Sequence, residues 1–293
     1  MKILIVDRLL KGKPHSDWKE GWALYYAGLD LGLNIDIAGL DCPISEHEIP
    51  CIANKYDLII VTENYPNAPQ LDGKKWEWWN WKEIKTPKLF WAIDTHFINY
   101  KDFIFKNKFD YAAFNNPSDI KKHSNKFPWG FKPKLFFLPL AVRKDLYEKN
   151  YSNAKEFDVT FIGSLNTEER KKIINKSSII HLNAFGPDYI KQIQKSKISF
   201  NYTMSYDLNA KFFEITGSGS FLLSNLPNKF ILDLFDFEVF NNCIWKNENE
   251  LMTKIKFYLK HEDIRESIAS ALRINTLENH TYNNRIQKII KII

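Results

Sequence analysis

Short apolar runs recur along the chain, separated by stretches in which apolar positions return every third or fourth residue. Residues 2–6 are a continuous apolar-rich run closed by Asp7, the pattern of a strand buried on both faces. A helix is expected over 18–31, carrying Trp22, Tyr25, Tyr26 and Leu29, with Gly32 as its stop. Strands are expected at 34–38, 56–62, 88–94, 109–114 and 135–139. After a polar stretch at 141–156 a second series begins. It reads as strand 157–163, helix 168–176, strand 179–182, helix 187–195 and strand 198–202. A helix over 208–216 then turns into a strand at 221–223, with Asp207 as N-cap and Gly217 or Gly219 as the stop. Helices at 249–260, 263–277 and 283–293 close the chain. Strands alternating with helices predict parallel sheets covered on both faces. The expectation is an α/β protein of two Rossmann-like domains, 1–152 and 153–293, whose last helix packs back on the first.

Composition changes this picture little. A chain of 293 residues with 44% hydrophobic content has ample core for two domains. The net charge of +6 comes almost wholly from lysine, with only six arginines among 41 basic residues, and Lys, Asn and Ile are all abundant. That is a coding bias, so the charge permits an anionic substrate without demanding one. Cys42, Cys51 and Cys243 fit neither a disulfide framework nor a zinc spacing. With no apolar run long enough to span a bilayer, a cytoplasmic location is expected. The absence of Gly-x-x-x-x-Gly-Lys and Gly-x-Gly-x-x-Gly argues against P-loop and dinucleotide enzymes.

The candidate chemistry gathers on the stretch from Asn209 to Ser224. Lys211 and Glu214 lie three apart and share one helical face. A lysine beside a helix N-terminus suits a diphosphate, and a carboxylate can accept from two ribose hydroxyls. The same spacing also fits a surface ion pair. Three loops fall at strand carboxyl ends in the same half: 163–166, with Gly163 and Ser164; 185–187, with Gly186; and 202–207, with Tyr206. Ligands of open α/β sheets bind at such ends. That favours nucleotide binding and adds Gly163, Ser164, Gly186, Tyr206 and Asn209 to the donor-side set.

The second half resembles the CgeB-like, group 1 branch of the GT-B glycosyltransferases over roughly residues 157–290. The likeness rests on Asp158-Val-Thr-Phe-Ile-Gly163, Arg170, Ala184-Phe-Gly186, Ile198-Ser-Phe-Asn201 and Ala210-Lys-Phe-Phe-Glu-Ile-Thr-Gly-Ser-Gly-Ser-Phe-Leu-Leu223. Glu250-Leu, Tyr258-Leu, Ile264-Arg-Glu-Ser-Ile-Ala269 and His280-Thr-Tyr-Asn-Asn-Arg285 follow in order. The resemblance implies a GT-B fold and sugar transfer from a nucleotide-sugar, a UDP-sugar being the first expectation. It implies that Glu214 holds the donor ribose and that the Gly163 and Gly186 loops line the donor pocket. Two positions depart from the pattern. Lys211 stands where such proteins usually have Arg, and Tyr206 stands where the first of two glutamates eight apart is usual.

Sugar transfer needs charge compensation for the departing phosphate and a base for the acceptor hydroxyl. No Asp-x-Asp occurs, so no metal is expected, and the helix start with Lys211 takes the phosphate charge. Base candidates lie in the first half: Asp94 and His96 at the end of a strand, and Asp17 with His15 in the loop after strand one. His181 and His280 read as structural. The acceptor is open between saccharide, protein and nucleic acid. A segment with four Trp in six residues, Trp76 to Trp81 among lysines, fits either a packed helix or an aromatic platform. Two rival readings stand: a phage-type glycosyltransferase acting on modified DNA bases, and an inactive GT-B module that binds sugar or nucleotide.

Overall fold

A computed structural model of the chain describes residues 1–8, 19–62, 81–95, 100–124, 130–149, 154–203, 208–226 and 229–293. The chain divides into two compact units, Met1–Leu140 with Arg285–Ile293, and Ala141–Asn284. The division falls at 140/141 rather than near 150. The polar stretch after 140 is not a linker: it carries a helix whose Tyr147 is 3% exposed within unit 2.

Unit 1 runs β1 (Lys2–Val6), α1 (Glu20–Asp30), β2 (Asn34–Gly39), β3 (Ile44–Ser45), α2 (Ile49–Ile52), β4 (Leu58–Thr62), β5 (Lys88–Ala92), α3 (Lys101–Lys106), β6 (Tyr111–Phe114), α4 (Pro117–His123) and β7 (Lys134–Phe137). Its strands form one parallel sheet in the order β3-β2-β1-β4-β5-β6-β7. The order reverses between β1 and β4, the switch point at which such sheets open a crevice. Every residue of β4 and β5 is buried, as the apolar runs 58–61 and 89–92 require, and Thr62 and Lys88 are carried in with them. One layer packs Val6, Val61, Phe90 and Phe114 with Trp81, Tyr100 and Phe109. Trp81 is therefore core, with its ring 6.0 Å from that of Phe109. The remaining tryptophans of that segment lie outside the described residues. The expected strand at 109–114 begins only at Tyr111, because Phe109 turns its ring into the core before pairing starts.

Unit 2 runs α5 (Lys144–Lys149), β8 (Phe157–Ile162), α6 (Glu168–Lys176), β9 (Ile180–Leu182), α7 (Gly186–Gln194), β10 (Ser196–Asn201), α8 (Lys211–Gly217), β11 (Phe221–Asn225), α9 (Phe237–Asn241), β12 (Ile244–Trp245), α10 (Glu248–Lys260) and α11 (Glu262–Asn279). A last helix, α12 (Tyr282–Ile292), gives its residues from Arg285 onward to unit 1. There Arg285 donates to the carbonyls of Pro139 (2.8 Å) and Leu140 (3.0 Å). The five strands of unit 2 pair in parallel in the order β12-β11-β10-β8-β9.

The helix expected at 208–216 starts later, at Lys211. The N–H groups of Phe213 and Glu214 both bond the Ala210 carbonyl, and that of Phe212 bonds Asn209. These donors are spent within the turn and do not point outward for a diphosphate. Gly219, with φ of 73°, closes the turn after α8, while Gly217 is its last helical residue.

Candidate functional site

The carboxyl edge of unit 2 collects the loops after β8, β9, β10 and β11. Gly163 leaves β8 with φ of 155°, and a Cβ added there would collide with the Lys211 ammonium. Lys211 itself donates to the Ile162 carbonyl, and its Nζ lies 5.0 Å from the centre of the Phe161 ring. Stripping water from this ammonium pulls its pKa down to about 8; nearby Glu214 opposes the shift and Arg170 adds to it. An ammonium in this state is a cation held without its own counter-charge in full.

Arg170 sits across the same ring, its guanidinium carbon 5.5 Å from the Phe161 centre. Thr167 caps α6 and so aims this first-turn arginine back at the loop. The guanidinium donates to the carbonyls of Ser164 (2.6 Å) and Tyr202 (2.9 Å) and to Asn166 Oδ1 (3.0 Å). Its Nε is buried without a hydrogen-bond partner among the described residues. His181 of β9 reaches the Gly163 carbonyl at 2.8 Å and stacks on Phe161, so it serves the shape of the loop.

Glu214 faces α7, where Tyr189 donates to its Oε2 at 2.6 Å. Gly186, at φ 58°, starts α7 and sets the pitch that brings Tyr189 there. The Tyr189 hydroxyl is held well above its ordinary pKa, first by burial and then by the Glu214 charge, so it remains a donor. Phe185, next to Gly186, is 73% exposed.

Asn209 takes part in a different set. Its amide exchanges bonds with Asn201 (3.3 and 3.4 Å) and donates to Thr203 Oγ1 (3.2 Å). Asn225 clamps the Thr203 backbone from both sides at 2.8 Å. This network fixes the exit from β10; Asn209 holds the loop rather than facing outward, as its position in the sequence had suggested. The structure thus brings Gly163, Ser164 and Lys211 together with Arg170, and joins Glu214 to Tyr189. Tyr206 lies outside the described residues. In the sequence Arg170 stands out only as part of a motif, and Tyr189 and Asn201 do not stand out as site residues at all. The signal for Arg170 is its place in the first turn after a capping threonine and a glycine loop.

In unit 1, Asp94 is exposed two residues beyond β5. The next residue, Thr95, bonds Asp119 in the first turn of α4, which anchors that loop. His96, His15 and Asp17 lie outside the described residues. At the end of β1, Asp7 is wholly buried and accepts from the N–H groups of Arg8 (2.8 Å) and Gly21 (2.9 Å). Burial lifts its pKa to about 7. A cavity of about 600 Å³ touching His47, Asn54, Glu83 and Thr86 lies instead by the amino ends of β4 and β5, the edge that open α/β sheets do not use for ligands. Among the described residues no group of three or more His, Cys, Asp or Glu is placed to hold a metal, and no helix is long and apolar enough to cross a membrane.

The sequence matches the family model described as glycosyl transferase-like over residues 143–291. No curated protein matches it. Among solved structures, it is similar to T4 phage BGT in complex with UDP and Mn²⁺, with TM-score 0.70, 14% identity, and coverage of 100% of this chain and 99% of the other. A complex of T4 phage BGT with UDP-glucose gives 0.65 and 13% at the same coverage. An alpha-glucosyltransferase in complex with UDP and a 13-mer DNA containing a HMU base gives 0.69 and 10%, again at 100% and 99%. At such identities the likeness is one of fold: two parallel α/β sheets of the GT-B type.

Proposed function

The chain belongs to the glycosyl transferase-like family, and from that premise we propose that unit 2 holds a UDP-sugar at the carboxyl edge of its sheet. The chain is a glycosyltransferase; the donor's base and the residue roles are our reading. The observation that carries it is the pairing of Lys211 and Arg170 around the Gly163 loop, two cations with little water of their own at the carboxyl edge of a parallel sheet. In our reading they balance the diphosphate as it leaves. Glu214, oriented by Tyr189, receives the ribose hydroxyls. Phe185 offers an exposed ring for the base.

In the reaction an acceptor oxygen attacks the anomeric carbon and the bond from that carbon to the diphosphate oxygen breaks. Asp94 is our candidate to take the acceptor's proton, with His96 and Asp17 as its rivals. The ordered motifs support a reading within the CgeB-like branch. None of the three cysteines is in a disulfide, which supports a cytoplasmic location. The T4 BGT complex with UDP and Mn²⁺ makes the metal question a practical one. We expect turnover to survive EDTA; loss on chelation with rescue by Mn²⁺ would overturn our account of the leaving group.

The decisive variant is Glu214→Gln. Losing a charge-assisted bond to the ribose costs about 1–3 kcal/mol, or roughly ten- to hundredfold in UDP affinity. Wild type should bind a 2′-deoxyribose donor more weakly than the ribose form, and the variant should discriminate less. Equal binding of the two donors by wild type sinks the assignment. A second reading, a module that binds without turnover, draws on the engagement of Lys211 with the Ile162 carbonyl and of Glu214 with Tyr189. UDP binding with neither hydrolysis nor transfer would select it.

A further inference from the structure

The charge of unit 1 is divided along the chain. Residues 1–99 hold 11 Lys and Arg against 14 Asp and Glu, whereas 100–134 together with 285–293 hold 11 against three, a net of +8. The fold brings the described parts of those two segments, 100–124, 130–134 and 285–293, to the open β7 edge of the sheet. Lys134 in β7 donates to the Ile292 carbonyl at 2.7 Å, which ties the end of α12 to the start of the strand. Lys288 of α12 reaches over the Phe137 ring, 5.5 Å from its centre, and Lys291 follows one turn later. In the opposite layer, the Phe105 ring meets that of Phe131 at 5.6 Å, which joins the stretch that carries Lys106 and Lys108 to the stretch that carries Lys132. There, too, α4 packs on the sheet through Ile120 and presents Lys121 and Lys122 to solvent. All eight of these lysines are exposed.

Guarding an edge strand against stray pairing explains a lysine in the strand itself, which covers Lys134. It does not explain seven more on helices and loops around it. The second observation concerns the described residues alone. Among them, none of the exposed large hydrophobic side chains falls in 100–124, 130–134 or 285–293. A membrane-binding face needs apolar groups to insert, and a protein interface needs an apolar anchor. Point charges without either suit a backbone of phosphates. We propose that the β7 edge of unit 1 docks the phosphate backbone of a nucleic-acid duplex. This surface is separate in residues and in chemistry from the donor site, and it stands whether or not that site is read correctly.

The test is a titration of a short fluorescent DNA duplex with the full chain, followed by anisotropy at several salt concentrations. Wild type should bind at low salt, with affinity falling steeply as salt rises. In Lys121→Gln/Lys122→Gln/Lys132→Gln, the slope of log affinity against log salt should fall by roughly 0.9 for each phosphate that is no longer neutralised, about 3 in all. The control Lys246→Gln/Lys256→Gln/Lys260→Gln removes the same charge from unit 2 and should leave the slope unchanged. Absence of duplex binding by wild type, an unchanged slope in the first variant, or an equal loss in the control overturns the proposal. Tighter binding to phosphatidylserine vesicles than to the duplex overturns it as well. UDP affinity, measured on the same samples, reports on the donor reading alone: its absence in wild type breaks that reading and leaves the docking result intact.

Discussion

In unit 1 the chain leaving β1 places a carboxyl, Asp7, beneath the first turn of α1. In unit 2 the corner after β8 receives an ammonium, Lys211, against the Gly163 loop. Loss of water is the largest influence on both groups, and it moves them in opposite directions, to about 7 for the carboxyl and about 8 for the ammonium. Their partners separate their roles. Asp7 accepts two backbone N–H groups and is wholly buried, so it is spent on joining β1 to α1. Lys211 meets one carbonyl and a ring face, with a second cation, Arg170, across the same ring. One edge has used its titratable group to build the fold, and the other has kept an excess of positive charge that an anion can relieve.

The largest test of this contrast is the pH dependence of stability through Asp7. Its folded pKa of about 7 lies above the ordinary 3.8, so the unfolded chain gives up the proton first. The contribution is full below about pH 4, falls as pH rises to about 7 and is level beyond, a change on the order of 4 kcal/mol. Subtracting the unfolding free energies of Asp7→Asn from those of wild type across this range should isolate the slope. A flat difference would mean that Asp7 is already ionised in the fold.

Next comes Gly21→Ala. A Cβ at Gly21 would lie 2.6 Å from the Asp7 Cβ and 2.7 Å from its Cγ, with no flexible chain end able to give way. The expected cost is about 3 kcal/mol, read by denaturant titration, with UDP affinity per folded molecule unchanged. Reduced UDP affinity in folded Gly21→Ala would tie the unit 1 edge to the donor and erase the contrast.

Lys211 gives an effect on binding rather than folding. If its charge meets the diphosphate, UDP affinity should weaken as pH rises through about 8, approaching tenfold per pH unit beyond it, and binding there should take up a proton. Calorimetry in two buffers of different ionisation enthalpy reads that proton directly. Lys211→Gln should bind more weakly and without the pH dependence; a wild-type affinity that is flat from pH 7 to 9 removes Lys211 from the site.

The smallest effect is expected from Tyr189→Phe. Removing one hydroxyl from Glu214 should cost about 1 kcal/mol in UDP affinity, close to fivefold, and should narrow the preference for ribose over deoxyribose. A lower melting temperature with unchanged preference would make Tyr189 a packing residue only.

The pattern of apolar positions decided the class of fold and most of the strands, while short elements such as β3, α3, α4, α5 and β12 left no periodic signal. The runs 58–61 and 89–92 are apolar without a break, and only a strand covered on both faces buries every such residue, so the parallel sheets were legible from pattern alone. The Gly163 and Gly186 loops and the Lys211–Glu214 face were legible too, because turn chemistry and helical spacing are local. Where α8 starts was not, since the Ala210 carbonyl takes two N–H groups in a turn that no propensity records. Nor was the partnership of residues far apart in the chain. Tyr189 reaches Glu214 across 25 positions and Arg170 reaches the Tyr202 carbonyl across 32, and such pairs exist only once β8, β9 and β10 lie side by side. Asn209 shows the limit most plainly. Its residue type and place suited an outward ligand, yet reciprocal bonding with Asn201 turned it inward. An amide can satisfy a neighbour or a ligand, and only the packed edge decides which of them is within reach.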